Sequence, residues 1–152
     1  MKIPVMHDDQ HGTAIISAAA LLNALEVQKK KIEKVRVVVN GAGAAAMACI
    51  QLYEALGVKH ENFLVFDRKG VLHKDRTDLE NFKLKFANAK HELSLEDAMK
   101  DADVFIGLSV GNVITPQMVK SMAKNPIVFA MANPDPEITL SLIHIPSPRD
   151  RG

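Results

Sequence analysis

Val35-Arg-Val-Val-Val-Asn-Gly-Ala-Gly-Ala-Ala-Ala46 is a β-branched apolar run that breaks into glycine and then into small residues. Val35 to Val39 read as a buried strand of a parallel sheet, and Ala44 through Leu56 as the helix that follows. Between them, Gly41-x-Gly43-x-x-Ala46 has the spacing of a dinucleotide-binding turn in its strand–turn–helix setting. The first glycine permits a sharp turn. The second removes a side chain where a pyrophosphate approaches the backbone, and the small Ala46 lets helix and strand pack closely. Unpaired N–H groups and the dipole at the helix start then favour a phosphate. A Gly/Ala-rich turn with no ligand is the weaker reading once strand and helix flank it.

Composition narrows the partner. At 152 residues and 47% hydrophobic content, the chain has room for one domain with a real core. Nineteen basic against eighteen acidic residues leave a net charge of +1. That balance speaks against nucleic acid and a polybasic membrane contact, and for a small-molecule partner. The single Cys49 cannot form an internal disulfide, and no histidine stands near it in sequence. It reads as a buried structural thiol in a reducing compartment. Neither a signal-peptide pattern nor an apolar run of membrane-spanning length is present, so a soluble, cytoplasmic protein is expected.

Upstream of the central strand, Ile15, Ala18, Ala19, Leu22 and Leu25 recur at helical spacing and predict a helix from about Thr13 to Glu26. Gln28-Lys-Lys-Lys31 at its end suits the negative pole of the dipole and reads as a solvated face. Asp8 and Asp9 precede this helix, between His7 and His11. They read as a helix start with Asp capping the first turn. A zinc site on the two histidines lacks an evident third ligand, whereas a hard Mg²⁺ or Mn²⁺ ion on an aspartate suits oxygen chemistry. Spacing alone leaves these open.

Downstream, Glu61 to Phe66 reads as the second strand and ends at Asp67-Arg68-Lys69-Gly70. An acid there can take the ribose hydroxyls of NAD, and a neighbouring Arg can hold the 2′-phosphate of NADP, so NAD and NADP both remain open. Within 71–90, Leu79, Phe82 and Phe86 predict an amphipathic helix after a short loop, and Ser94-Leu-Glu-Asp97 a capped short helix to about Lys100. Asp103 to Leu108 is the third strand, Thr115-Pro116 starts a helix to about Ala123, and Ile127 to Met131 is the fourth strand. Ser109 and Asn133 leave the third and fourth strands at the carboxyl edge, where open α/β sheets bind ligands. The order of elements predicts a Rossmann-like, doubly wound parallel sheet with helices on both faces.

Ile3-Pro-Val-Met-His-Asp-Asp-Gln-His-Gly-Thr-Ala14, Val38-Val-Asn-Gly-Ala-Gly-Ala-Ala45, Ala102-Asp-Val-Phe-Ile-Gly107 and Ala132-Asn-Pro-Asp-Pro-Glu137 together resemble the NAD(P)-binding domain of bacterial malic enzyme. The resemblance covers roughly residues 3 to 138, and residues 1–138 are expected to form that NAD(P)-binding domain without the family's N-terminal substrate domain. It implies oxidation of L-malate by NAD(P)⁺, decarboxylation to pyruvate, and a Mg²⁺ or Mn²⁺ ion. It further implies Asp9 as a metal ligand, Asp8 in the catalytic hydrogen-bond network, and Gly41, Ala42, Gly43, Ala44 and Ala45 at the pyrophosphate. Asp67 and Arg68 would hold the adenosine ribose, Ser109 would lie near the nicotinamide, and Asn133 between nicotinamide and substrate. The histidines become structural. When full length, the enzyme is expected to be a homo-oligomer.

Departures from the family pattern also count. The family's catalytic lysine, its tyrosine acid and two further metal carboxylates lie upstream of the His-Asp-Asp motif, so the chain reads as a fragment that turns over little or nothing alone. The family's Gly-Arg-Ser-Asp stretch is also missing. Residues 139–152 read as a non-native tail, in which Ser141 to Gly152 resembles translated sequencing adapter. Ala46 stands where the family often has Gly, and Val110 and Asn112 alter the loop after the third strand. A free-standing dinucleotide-binding or subunit-interaction module is the alternative. An amino-acid dehydrogenase would explain the glycine turn but not His-Asp-Asp-Gln-His-Gly-Thr.

Overall fold

β1 (Val37–Asn40) is buried on both faces because its valines alternate between two cores: Val37 and Val39 join one, Val38 the other. The computed structural model describes Ile3 and residues 5–139. Parallel to β1 run β2 (Phe63–Asp67), β4 (Val104–Gly107) and β5 (Ile127–Ala130), and β3 (Gly70–Val71) pairs antiparallel with β2. The five strands lie in the order β3-β2-β1-β4-β5.

One face carries α1 (Thr13–Val27) and α2 (Ala44–Ala55). Leu21 and Leu25 of α1 and Ile50 and Tyr53 of α2 are buried in a single cluster with Val37, Val39, Val104 and Ile106. Each such aliphatic side chain contributes roughly 1.5–3 kcal/mol on burial. Small residues let the two helices approach: Ala14, Ala18 and Ala46 are buried, and the Ser17 hydroxyl lies 3.4 Å from the Cys49 sulfur. The other face carries α4 (Leu95–Met99) and α5 (Pro116–Ser121), whose Met99 and Met118 pack with Val38, Phe105 and Phe66. The expected doubly wound sheet is therefore observed, with one antiparallel strand at its edge.

Both short helices carry the caps their sequences announce. Ser94 Oγ accepts from Asp97 N–H at 3.0 Å, and Thr115 Oγ1 from Met118 N–H at 3.2 Å, with Pro116 opening the helix.

Several expectations are corrected. The central strand begins at Val37, not Val35: the Arg36 carbonyl still accepts from Asp103 and Val104 N–H at 3.0 and 3.1 Å, but its N–H goes to the Asp103 carboxylate at 2.9 Å and not to a strand backbone. Lys30 is no solvated cation: its ammonium sits 2.6 Å from the same carboxylate and ties the end of α1 to the start of β4. No aspartate caps α1, since a π-helical turn, Asp8–Gly12, runs directly into it without a side-chain cap. In place of an amphipathic helix after β3 there is only the single turn α3 (Asn81–Leu84). Leu79 and Phe86 still pack on the core, but Phe82 is 46% exposed, so the three do not share one helix face. Apart from position 139, the tail read as foreign lies outside the described residues. Among those described, no helix is long and apolar enough to cross a membrane.

The register decides where a ligand could sit. Asn40 is level with Phe66 on one side and Gly107 on the other, and Gly107 is level with Ala130. All four parallel strands thus open their following loops on one edge. Chain order reverses between β1 and β4, which makes the gap between their loops the topological switch point.

Candidate functional site

Gly41, Ala42, Gly43, Asp67, Arg68 and Ser109 wall one cleft of about 460 Å³ at that switch point. The two glycines are there for different reasons. Gly41 has φ +128°, and a Cβ on it would press to 2.7 Å from the Leu108 carbonyl oxygen, so the protein's own packing requires it. Gly43 has φ −87° and ψ −176°, a backbone open to any residue, and a Cβ there would meet nothing within 4 Å. Nothing inside the chain calls for glycine at 43.

What Gly43 does is keep clear the space before α2. That twelve-residue helix starts without a side-chain cap, so its first N–H groups and the positive end of its dipole face the opening. Ala44 is exposed at the same mouth, and Ala45 follows it in the first turn. The cradle fits a diphosphate.

Asp67 and Arg68 stand where this cleft meets a second hollow of about 660 Å³, walled also by Leu93, Leu95 and Val113. The Asp67 carboxylate is not free. Arg76 forks onto it, Nη1 to Oδ1 at 2.9 Å and Nη2 to Oδ2 at 3.0 Å, while Lys69 N–H donates to Oδ1 at 2.9 Å. Burial would raise this carboxyl's pKa, but the Arg76 and Lys69 hydrogen bonds outweigh it and hold the value below the ordinary range. Arg76 is a site residue that the sequence reading missed. It lies nine positions beyond its partner, and only the fold-back of β3 brings the two together.

Glu137 is the second one missed. Its side chain is completely buried, and its carboxyl oxygens accept from Ser109 N–H at 3.2 Å and Ala132 N–H at 3.1 Å. One carboxyl group therefore joins the loops that leave β4 and β5.

The sequence profile described as malic enzyme, NAD binding domain, matches residues 10–141. The chain belongs to this family. NADP-dependent malic enzyme of Halomonas elongata is 52% identical over 137 residues, covering 90% of this chain and 32% of that protein. NAD-dependent malic enzyme of Rhizobium meliloti is 48% identical over 139 residues, covering 91% of this chain and 18% of that protein. The crystal structure of NAD-dependent malic enzyme from Thermotoga maritima matches with a TM-score of 0.85 at 45% identity, covering 93% of this chain and 39% of that one. The chain thus spans a third or less of these two relatives' length, and about two fifths of the crystallised chain.

Other residues expected at a malic enzyme site do not line the cleft. Asn133 is exposed on the loop after β5 and does not wall it. Asp8 and Asp9 are exposed in the π-helical turn, which packs against α2. Among the described residues, no three His, Cys, Asp or Glu side chains converge as a metal site. The two aspartates have the hard oxygen donors that Mg²⁺ or Mn²⁺ prefers, and they fit as a contribution to a ligand set, not as a complete one.

Proposed function

We propose that the chain is the dinucleotide-binding part of an oxidoreductase converting L-malate and NAD(P)⁺ to pyruvate, CO₂ and NAD(P)H with a divalent cation. The observation that carries this is Gly43: a glycine with no internal reason, keeping open the space before the capless start of α2. Gly41 to Ala45 would cradle the pyrophosphate, Asp67 and Arg68 would face the adenosine ribose, and Ser109 the nicotinamide end. Asn133 would orient substrate against the nicotinamide by donating and accepting hydrogen bonds. Asp9 would give one carboxylate to Mg²⁺ or Mn²⁺, and Asp8 would hold a neighbouring hydrogen bond. When bound, the cation supplies Lewis-acid polarisation of the substrate oxygen. A cytoplasmic, homo-oligomeric enzyme belongs to the same reading, and the free thiol of buried Cys49, its pKa pushed up by burial, suits a reducing compartment.

Calorimetric titration of the purified chain with NADPH and NADH tests the proposal. Saturable binding of either supports it, and no binding of both overturns it. A second reading, a binding module without catalysis, is favoured by the position of the only tyrosine: Tyr53 is fully buried in the α1–α2 core and brings no proton donor to the cleft. Malate-dependent reduction of the coenzyme in the presence of Mn²⁺, by a protein carrying the rest of the relatives' length, separates the two.

A further inference from the structure

We propose that Arg76 sets the coenzyme choice of this cleft: by occupying the Asp67 carboxylate it turns the ribose position into an anion site, which takes a dinucleotide bearing a 2′-phosphate in preference to one with a free 2′-hydroxyl. The inference rests on the dinucleotide reading and adds which coenzyme class is taken.

An acid at the end of the second strand selects the unphosphorylated coenzyme by accepting from the ribose hydroxyls. That requires free lone pairs and an unopposed negative charge. Asp67 falls short on both counts: Arg76 opposes its charge, and both Arg76 nitrogens and the Lys69 N–H use three of its roughly four acceptor positions, leaving at most about one for a ribose whose two hydroxyls would each need an acceptor. Arg76 cannot swing aside easily. Its Nε and Nη2 each bond Asp78 at 3.0 Å, and Nη1 reaches the Gly70 and Val71 carbonyls at 3.5 and 3.4 Å. Its side chain is only 10% exposed.

On the glycine side the other charges on the cleft wall are positive, and the second hollow adds one acid, Glu92. Lys69 is paired with Asp78 at 2.8 Å, but Arg68 is exposed and makes no hydrogen bond or ion pair with the described residues. The Lys83 ammonium lies 5.7 Å over the Phe82 ring, on no carboxylate. Arg68 stands at the junction of the two hollows, the place a ribose takes when pyrophosphate lies on the glycine side and a base on the Leu93–Leu95 side. A phosphate there meets a free guanidinium fork; a hydroxyl meets a carboxylate already in use.

Titration of the purified chain with NADPH and with NADH, followed by nucleotide fluorescence, tests this. NADPH is expected to bind at least about tenfold more tightly, the factor given by 1.4 kcal/mol of differential interaction. Arg76→Gln frees Asp67 and is expected to cut that ratio by about tenfold, mainly by strengthening NADH. Arg76→Lys, which cannot fork onto both oxygens, should fall between. Arg68→Ala should weaken NADPH about tenfold and leave NADH within about twofold. Circular dichroism reports the fold of each variant. If Arg76→Gln does not fold, Asp67→Asn decides by NADH affinity alone: a masked carboxylate predicts NADH binding within about twofold of the parent, and a larger loss shows that Asp67 reads the ribose and overturns the proposal. Equal or tighter binding of NADH to the parent chain, or an unchanged ratio in a folded Arg76→Gln, also overturns it. Absence of binding by both nucleotides instead removes the dinucleotide reading, and this inference with it.

Discussion

The carboxyl group of Glu137 fills the space that Gly107 leaves by having no side chain: a Cβ on Gly107 would overlap it. Gly107 ends β4, level with Asn40 and Ala130, so the buried carboxyl lies beneath the loops that begin at Ser109 and Ala132. Gly107→Ala is therefore expected to cost about 1–3 kcal/mol through overpacking. The loss would appear as a lower urea midpoint at unchanged slope. An unchanged midpoint would mean that the carboxyl has other room to occupy.

Glu137→Ala removes the acceptor and leaves two part-buried N–H groups without one. A fully buried N–H costs about 1–3 kcal/mol when unsatisfied, and these two, partly open to water, should each cost about 1 kcal/mol or less. Glu137→Gln keeps the shape and one carbonyl oxygen, so it should lose less than Glu137→Ala. Hydrogen exchange at the Ser109 and Ala132 amides checks the mechanism, because both are expected to exchange faster in Glu137→Ala. Protection equal to the parent at both amides would rule the staple out.

The glycine turn offers a sharper contrast. Gly43→Val should leave the unfolding free energy from urea titration within about 0.5 kcal/mol of the parent, since open space surrounds the position, while weakening NADPH by at least about tenfold. Gly41→Ala should do the reverse and destabilise by about 1–3 kcal/mol, through positive φ and contact with the Leu108 carbonyl. Loss of stability at both positions would erase the distinction between packing glycine and ligand glycine.

These two residues also mark how far the sequence could be read. The turn was legible because Gly41, Gly43 and Ala46 stand between a valine run and a small-residue helix, all local signals. The four parallel strands were legible for the same reason. β3 was not, because two residues paired to Phe66 and Asp67 leave no periodicity. The segment after it misled, since Leu79, Phe82 and Phe86 have helical spacing while Arg76 staples the backbone to Asp67 and Asp78. Glu137 stayed hidden because an acid ending a proline-rich loop normally faces water, and only the missing side chain at Gly107 makes room for it inside. Asn133 and the two aspartates were placed by family resemblance, and none of the three lines the cleft.

The Asp67–Arg76–Asp78 group couples stability to acid. Asp67 is held below its ordinary pKa although burial opposes this, because Arg76 and Lys69 hydrogen-bond it, and Arg76 and Lys69 lower Asp78 as well. Folded values below the unfolded ones mean that the unfolded chain binds more protons as pH falls. The stabilisation is thus fully present above the unfolded carboxylate range near pH ~4, and is lost as pH drops through the lower folded values. Thermal melts should show a falling midpoint below about pH 4, and Asp78→Asn should flatten that limb relative to the parent. Identical limbs in the two proteins would show that these ion pairs are not what couples the fold to acid.

Metal removal separates the fold from the chemistry. Asp8 and Asp9 are exposed, and no third His, Cys, Asp or Glu converges with them among the described residues, so no ion is needed to hold α1 or the π-helical turn. Two carboxylates without a bound substrate leave most positions around Mn²⁺ to water, which binds it weakly. Chelation by EDTA should therefore leave the thermal midpoint and the NADPH affinity of the chain unchanged. In a protein carrying the rest of the relatives' length, Asp9→Ala should abolish the Mn²⁺ dependence of malate affinity and leave NADPH affinity alone, because the cation and the pyrophosphate would be held by different elements. A midpoint that falls on chelation would instead mean that the turn before α1 already holds an ion.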